Sequence, residues 1–441
     1  MRAVEISRAV RAGEISAVSA IEASLARVKT RDGTVNAVTR LLSERALEQA
    51  RRIDGLVARG QDPGPLAGVP FGIKDLFDVE GLVTTAGSRV LREMPPATQD
   101  AVLVRRLVEA GAIPLATTNM DEFAYGFATD NAHHGLTRNP HDTDRLAGGS
   151  SGGSAAGVAA GYFPLSLGSD TNGSIRVPAS LCGVWGLRAT QNRLSTEGSF
   201  PFVASLDTVG PFTASAADLR AVVEAVTGER LPPVETGSLR LARLIGWFAS
   251  DLSTEMAQAL SEFCHALKIV REVDVPDVAA ARAAAFVISA SEGGSLHLER
   301  LRDQAVLYDP AVRDRLLAGA LVPAPSVFRA HRVRRHFRSK MHEAFRDADL
   351  LIAPAVTGEA PLCDNPTLMI GGKAVPARAN LGIYTQPLTL AGFPVLTVPL
   401  HVSGLPLGVQ VVAPPGREDR LIAFGEALEQ SGLARSRILE D

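Results

Sequence analysis

Apolar residues recur at helical spacing through the first sixty positions (Ile6, Val10, Ile15, Val18, Ile21, Leu25, Val28), broken at Gly13 and at Arg31-Asp32-Gly33-Thr34. That pattern predicts two or three amphipathic helices between Ala3 and Arg59, their polar face rich in Arg and Glu. The pattern then changes. Val69 to Lys74 reads as an apolar strand, Ala101 to Ala110 as a helix closed by Gly111, and Ile113 to Thr117 as a second strand. A small-residue helix (Ser154 to Ala160) and another strand-like run (Tyr162 to Leu167) follow. Residues from about Glu229 to Arg346 are Ala-, Arg- and Leu-rich and read as a helical insertion shaping a substrate entrance. Leu350 to Val356 and Phe393 to Val412 return as buried strands, and Arg420 to Glu429 as a last helix. Helices alternating with apolar strands predict an α/β sheet with helices on its faces.

One stretch does not fit a simple core pattern. Leu146 to Arg188 crowds glycine and hydroxyl residues into an otherwise apolar, Ala-rich chain, with Ser150 and Ser174 each on a glycine turn. Glycine lets a ligand approach the main chain closely, so such turns offer serine oxygens and bare N–H groups together. A flexible linker would not run straight into Ala, Val and Leu. A phosphate loop would end in Gly-Lys-Ser/Thr, which is absent here. Gly149 to Gly153 matches G-x-S-x-G, but the nucleophile elbow needs a strand before it, and Arg138 to Arg145 is polar and turn-like. Acyl transfer is the chemistry that remains.

Composition narrows the partners and brings a base forward. The 441 residues carry a net charge of −3 with no long basic block, which argues against nucleic acid. Cys182, Cys264 and Cys363 are widely spaced and odd in number, as expected of reduced thiols in the cytoplasm. No apolar run reaches membrane length, and the N-terminus lacks a signal-peptide core, so no membrane association is expected. Adjacent His133 and His134 share no helix face and have no third ligand nearby; a structural role is expected, and no metal. The basic group His331 to Arg338 reads as a solvated helix face. Among 45 basic residues only five are lysines (Lys29, Lys74, Lys268, Lys340, Lys373). Lys74 stands out because it sits in a strand-like apolar run, where desolvation can bring an amine down to a useful base at about 7–8. A snorkelling lysine paired with Asp75 or Asp78 is the competing reading.

Three segments then carry a family resemblance: Val69-Pro70-Phe71-Gly72-Ile73-Lys74-Asp75, Gly148 to Ser154, and Gly168-Ser169-Asp170-Thr171-Asn172-Gly173-Ser174-Ile175-Arg176. In order, spacing and flanks they resemble the landmarks of the amidase signature hydrolases. The resemblance implies an α/β fold, a mixed twisted β-sheet covered by helices on both faces. It implies one domain over 1–441: N-terminal helices (1–60), a signature core (61–228), a variable helical insertion (229–346) and a C-terminal return to the sheet (347–441). It also implies a triad of Ser174 as nucleophile, Ser150 as a relay behind a cis peptide, and neutral Lys74 as base. Main-chain N–H groups of Thr171, Asn172, Gly173 and Ser174 would receive the oxyanion, and no metal or organic cofactor is required. Where the family commonly has Asp-Thr-Gly-Gly-Ser, this chain has Asn172, which puts a side chain beside the acyl pocket.

The implied activity is cleavage of a small linear amide or urea-like C–N bond with release of ammonia. Tyr125, Gly126, Asn172 and Arg176 are the expected substrate contacts, with Arg332 to Arg335 as another source of a carboxylate-binding arginine. A small helical companion subunit is expected, and a homo-oligomer is compatible with the pattern. Two alternatives stay open: a subunit that makes ammonia for a partner enzyme, and a silent partner-binding scaffold.

Overall fold

The computed structural model describes residues 2–439. Its centre is an eleven-stranded sheet. In chain order the strands are β1 (Val38–Leu41), β2 (Pro70–Lys74), β3 (Ile113–Thr118), β4 (Leu165–Ser169), β5 (Trp185–Arg188), β6 (Val209–Thr213), β7 (Leu241–Leu244), β8 (Glu272–Val273), β9 (Leu350–Pro354), β10 (Val395–Pro399) and β11 (Gly408–Val412). Across the sheet they run β1-β3-β2-β4-β6-β5-β10-β11-β9-β7-β8. β2 lies parallel to both β3 and β4, whereas β5, β6, β10 and β11 pair antiparallel. The sheet is therefore mixed. Every residue of β2, β3, β4, β5 and β6 is buried, which requires cover on both faces of a strand. Flanking helices supply it.

The N-terminal helices are α1 (Ala3–Arg11), α2 (Ala17–Val35) and α3 (Ser43–Ala58). Ser16 caps α2 by accepting from the Ser19 N–H, and Asn36 ends it in the left-handed region, as cap residues do. α4 (Val102–Glu109) precedes β3, and α5 (Gly152–Ala159), made of small residues, starts just after Ser150. α6 (Arg176–Cys182) starts just after Ser174. Both serines thus sit at the turns the glycines predicted. α7 (Ala216–Thr227) closes the central part.

The region read as a helical insertion is not wholly helical. It holds α8 (Thr254–Ala266), α9 (Val278–Gln304), α10 (Pro310–Ala320) and α11 (Ala324–Ala344), but also β7 and β8. β7 pairs parallel with β9, so this segment extends the main sheet. β1 is likewise absent from the sequence pattern; it is four residues long and half-exposed at the sheet edge, too short for alternation to register. The polar run before Ser150 folds as a small antiparallel pair, Arg138–Asn139 with Asp142–Leu146. α9 and α10 approach closely: a Cβ on Gly319 would stand 2.0 Å from the carbonyl of Ala290. That contact needs glycine, and it lets α10 lie close against α9. The chain ends in α12 (Ala377–Asn380), α13 (Thr385–Ala391) and α14 (Glu418–Gln430) around β10 and β11.

Because β7 is hydrogen-bonded into the sheet, a chain lacking 229–346 is expected to lose cooperative unfolding in a denaturant titration. A sharp transition with native-like circular dichroism would show that the segment is separable.

Candidate active site

Lys74 is the last residue of β2 and is fully buried. Its Nζ lies 2.8 Å from Ser150 Oγ and 2.8 Å from Ser169 Oγ. Ser169 ends the neighbouring parallel strand β4, so two strand ends and one turn converge on the amine. Burial drives the Lys74 pKa from an ordinary 10.5 to about 7, against the pull of Asp121, Asp170 and Asp207. None of those acids forms an ion pair with it among the described residues. The lysine is thus neither snorkelling nor paired with Asp75 or Asp78: Asp75 accepts from Thr85 and Gly87, and Asp78 from Thr84.

Ser150 follows a cis peptide from Gly149, and its carbonyl accepts from the Asp121 N–H at 3.2 Å. Asp121 is fully buried and also accepts from the N–H groups of Ala128 (3.1 Å) and Thr129 (2.8 Å). One buried acid therefore ties the turn of Ser150 to the loop of Tyr125 and Gly126. Gly126 packs on the same acid, where a Cβ would come 2.3 Å from Asp121 Oδ1.

The Ser174 turn is organised by Asp170. Its carboxylate accepts from the N–H groups of Gly173 (2.7 Å) and Ile175 (3.2 Å), from Arg176 Nε (3.0 Å) and Nη2 (3.0 Å), and from Arg188 Nη1 (3.1 Å). Burial alone would raise its pKa, but the two guanidiniums outweigh that and hold it below the usual carboxylate range. The acid is a fixed anchor.

Two expectations are corrected by this network. Arg176 is fully buried, and its other donors bond the Thr385 carbonyl (3.0 Å), Gln410 Oε1 (2.7 Å) and Thr389 Oγ1. It braces the turn and has no donor left for a substrate. Gly173 likewise gives its N–H to Asp170, so it is not available to an oxyanion. The N–H groups of Thr171, Asn172 and Ser174 have no acceptor among the described residues and remain as candidates. Gly173 is glycine for another reason: its φ is +134°, and a Cβ would fall 2.0 Å from Thr385 Oγ1.

Ser174 is 2% exposed, and its hydroxyl makes no hydrogen bond among the described residues. Asn172 sits two residues before it, its Nδ2 donating to Ser289 Oγ on α9 at 2.8 Å. Tyr125 packs at a tilt against Phe202, with ring centroids 4.6 Å apart, and lies beneath Arg315 of α10, whose Cζ is 3.7 Å from the tyrosine ring centre. Arg315 also donates to the Tyr125 carbonyl at 2.9 Å. No carboxylate pairs with it among the described residues, and burial lowers its pKa. Ser169, Asp121, Arg315 and Ser289 do not stand out in the sequence. Only Ser169 leaves a trace there, as a hydroxyl ending an apolar run parallel to that of Lys74.

The other candidates fall elsewhere. Arg334 is held by the carbonyls of Leu390 (3.2 Å) and Ser205 (2.8 Å). His133 pairs with the buried Glu122 at 2.8 Å, the structural role expected of it. The three cysteines are unpaired. A cleft of ≈ 870 Å³ lies between the N-terminal helices and the chain end, lined by Ile6, Phe163, Leu400 and Leu439 among others, and includes none of the site residues above.

Comparison with known proteins gives the family of the chain. The family model described as Amidase matches residues 19–422. This chain belongs to the amidase family. Among its relatives is AtzE of Pseudomonas sp. (strain ADP), which belongs to a 1-carboxybiuret hydrolase and is 45% identical over 99% of both chains. Another relative, from the glutamyl-tRNA(Gln) amidotransferase of Moorella thermoacetica, is 34% identical, covering 98% of this chain and 96% of the relative. A solved structure of a vestigial protein complex of an s-triazine catabolic enzyme, with inhibitor bound, superposes with a TM-score of 0.96 at 45% identity, covering 99% of this amidase and 100% of that chain. A 6-aminohexanoate cyclic dimer hydrolase superposes at 0.83 with 27% identity, covering 98% of this chain and 97% of that one. This amidase is an enzyme, a hydrolase acting on amides, with the α/β fold expected. The silent scaffold is thereby set aside, and the ammonia-donating role is the less favoured alternative.

Removing the anchor of the Ser174 turn leaves two buried guanidiniums unpaired, so Asp170→Ala is expected to cost about 3–5 kcal/mol of stability. Urea unfolding checks this; a change below about 1 kcal/mol would mean that the network does not organise the turn.

Proposed function

We propose that this amidase cleaves a small, carboxylated, urea-like amide, as a 1-carboxybiuret hydrolase does, releasing ammonia through an acyl-enzyme on Ser174. The observation that carries the reading is the fully buried amine of Lys74 at 2.8 Å from Ser150 Oγ, beside the turn that bears Ser174. Neutral Lys74 can accept a proton from the Ser150 hydroxyl, and Ser150 in turn takes the proton of Ser174 as its Oγ attacks the carbonyl carbon. Ser174 Oγ must turn toward Ser150 for this step; catalytic hydrogen bonds often close only in the substrate complex. The open N–H groups of Thr171, Asn172 and Ser174 meet the developing oxyanion, the kind of preorganised donor set that usually contributes most. The proton returns through Ser150 to the leaving nitrogen as the C–N bond breaks. Water then attacks the acyl-enzyme by the same relay and frees Ser174.

Arg315 suits the substrate carboxylate. It is a guanidinium with no acid partner among the described residues, stacked on Tyr125 and next to Gly126, which abuts the loop of Ser150. A guanidinium held over an aromatic ring, with donors beyond the one given to the Tyr125 carbonyl, favours arginine over lysine for such binding. The 45% identity to AtzE over nearly all of both chains supports this substrate class. The likeness to a protein complex supports work alongside a partner subunit, for which a small helical companion is proposed. Among the described residues no helix is long and apolar enough to cross a membrane, which is compatible with a cytoplasmic site of action.

Ammonia release from carboxybiuret, biuret, malonamate and glutamine, measured in parallel, tests the substrate class; glutamine as the best substrate would favour the amidotransferase reading instead. Ser174→Ala is expected to remain folded and to abolish turnover. With Lys74 needed as the free amine, kcat/KM is expected to rise with pH through about 7, because the protonated amine below that value cannot accept a proton. A flat profile from pH 5 to 9 would contradict the role of Lys74. Arg315→Met is expected to raise KM for the carboxylated substrate by about 30-fold or more while leaving biuret hydrolysis close to its starting rate. Equal losses on both substrates would assign Arg315 a purely structural role.

A further inference from the structure

Asn172 is 8% exposed, and its two amide ends are in different situations. Nδ2 donates to Ser289 Oγ at 2.8 Å, and Ser289 is itself 2% exposed on α9. Oδ1 is buried with no hydrogen-bond partner among the described residues. The main chain at Asn172 is fixed as well, since Thr385 Oγ1 donates to its carbonyl at 2.6 Å. An oriented, buried acceptor left unmatched is costly unless something fills it, and this one lies on the very turn whose N–H groups face the proposed oxyanion.

We infer that the Asn172 side-chain carbonyl, held by Ser289, accepts a hydrogen bond from the N–H on the acyl side of the scissile carbonyl. This rests on the proposed acyl-enzyme reading and deepens it. A carbonyl carbon seated against the turn presents its oxygen to the main-chain donors. Its non-leaving substituent then falls beside the neighbouring side chain. An N–H there satisfies Oδ1, whereas a methylene of the same size leaves it unpaired. Asn172 thus makes the site selective for ureido compounds (N–CO–NH2) over plain carboxamides (C–CO–NH2), and Ser289 positions it by holding the other end of the amide.

N-carbamoylglycine and succinamate form a matched pair, identical except that an N–H in the first is a methylene in the second. Their dissociation constants are measured by calorimetry on the Ser174→Ala protein, which requires no turnover, so that this test is separate from the test of the catalytic reading. N-carbamoylglycine is expected to bind about tenfold or more tightly than succinamate. Adding Asn172→Ala is expected to bring that ratio close to one chiefly by weakening the ureido compound. Ser289→Ala, which leaves Asn172 in place but free to turn, is expected to lower the ratio about threefold and serves alone if Asn172→Ala does not fold. A ratio near one in the starting protein, a preference for succinamate, or a ratio that survives either substitution would overturn the inference. Loss of Ser174-dependent ammonia release from carboxybiuret in the intact enzyme would instead overturn the catalytic reading and leave the binding preference standing.

Discussion

The arrangement depends on one amine kept dry between two hydroxyls. Among the described residues Lys74 has no carboxylate in contact and hydrogen-bonds Ser150 and Ser169, so the pull of nearby acids offsets only part of the loss of water around its charged form. A fall from 10.5 to about 7 corresponds to about 5 kcal/mol at 1.36 kcal/mol per unit. A contacting acid would restore the charge and remove the base. The nearby acids are each engaged elsewhere: Asp170 with two arginines, Asp121 with main-chain N–H groups through Oδ2 and with Arg378 at 3.7 Å from Oδ1, and Asp207 with Thr171 and the N–H groups of Phe202 and Val203. Their pull reaches Lys74 only through space.

That constraint explains why the surroundings are so heavily braced. A base of this kind works only if the turns of Ser150 and Ser174 keep their places, and each turn hangs on one buried acid. The same acids that define the turns thereby set the field at the amine. Chemistry is concentrated in strands and turns of the central sheet, whereas the features suited to choosing a substrate come from α9 and α10, through Ser289 and Arg315. Folds commonly separate a fixed reaction centre from variable recognition in this way.

Much of this is legible along the chain. Lys74 announces itself as a rare lysine ending an apolar strand, and Ser150 and Ser174 as hydroxyls on glycine turns. The main helices and strands follow from their periodicity. What is illegible shares a cause. Ser289 meets Asn172 across 117 residues and Arg315 meets Tyr125 across 190, and in an arginine-rich chain no local pattern separates a functional guanidinium from a surface one. Arg176 and Gly173 mislead because the stretch that bears the proposed nucleophile also carries its scaffolding, and only the carboxylate of Asp170 tells the two apart. β1, β5, β7 and β8 escape because two to four residues hold too little pattern, and β6 because Gly210-Pro211 within it reads as a turn; tertiary pairing alone makes them strands.

The neutral amine can be observed directly. With only five lysines in the chain, a protein carrying 13Cε-labelled lysine gives a spectrum simple enough to follow resonance by resonance, with Lys74→Met assigning the relevant one. The resonance that Lys74→Met removes should titrate near pH 7; if that resonance instead titrates near pH 10, the ordinary range of a lysine amine, the account is contradicted at its root.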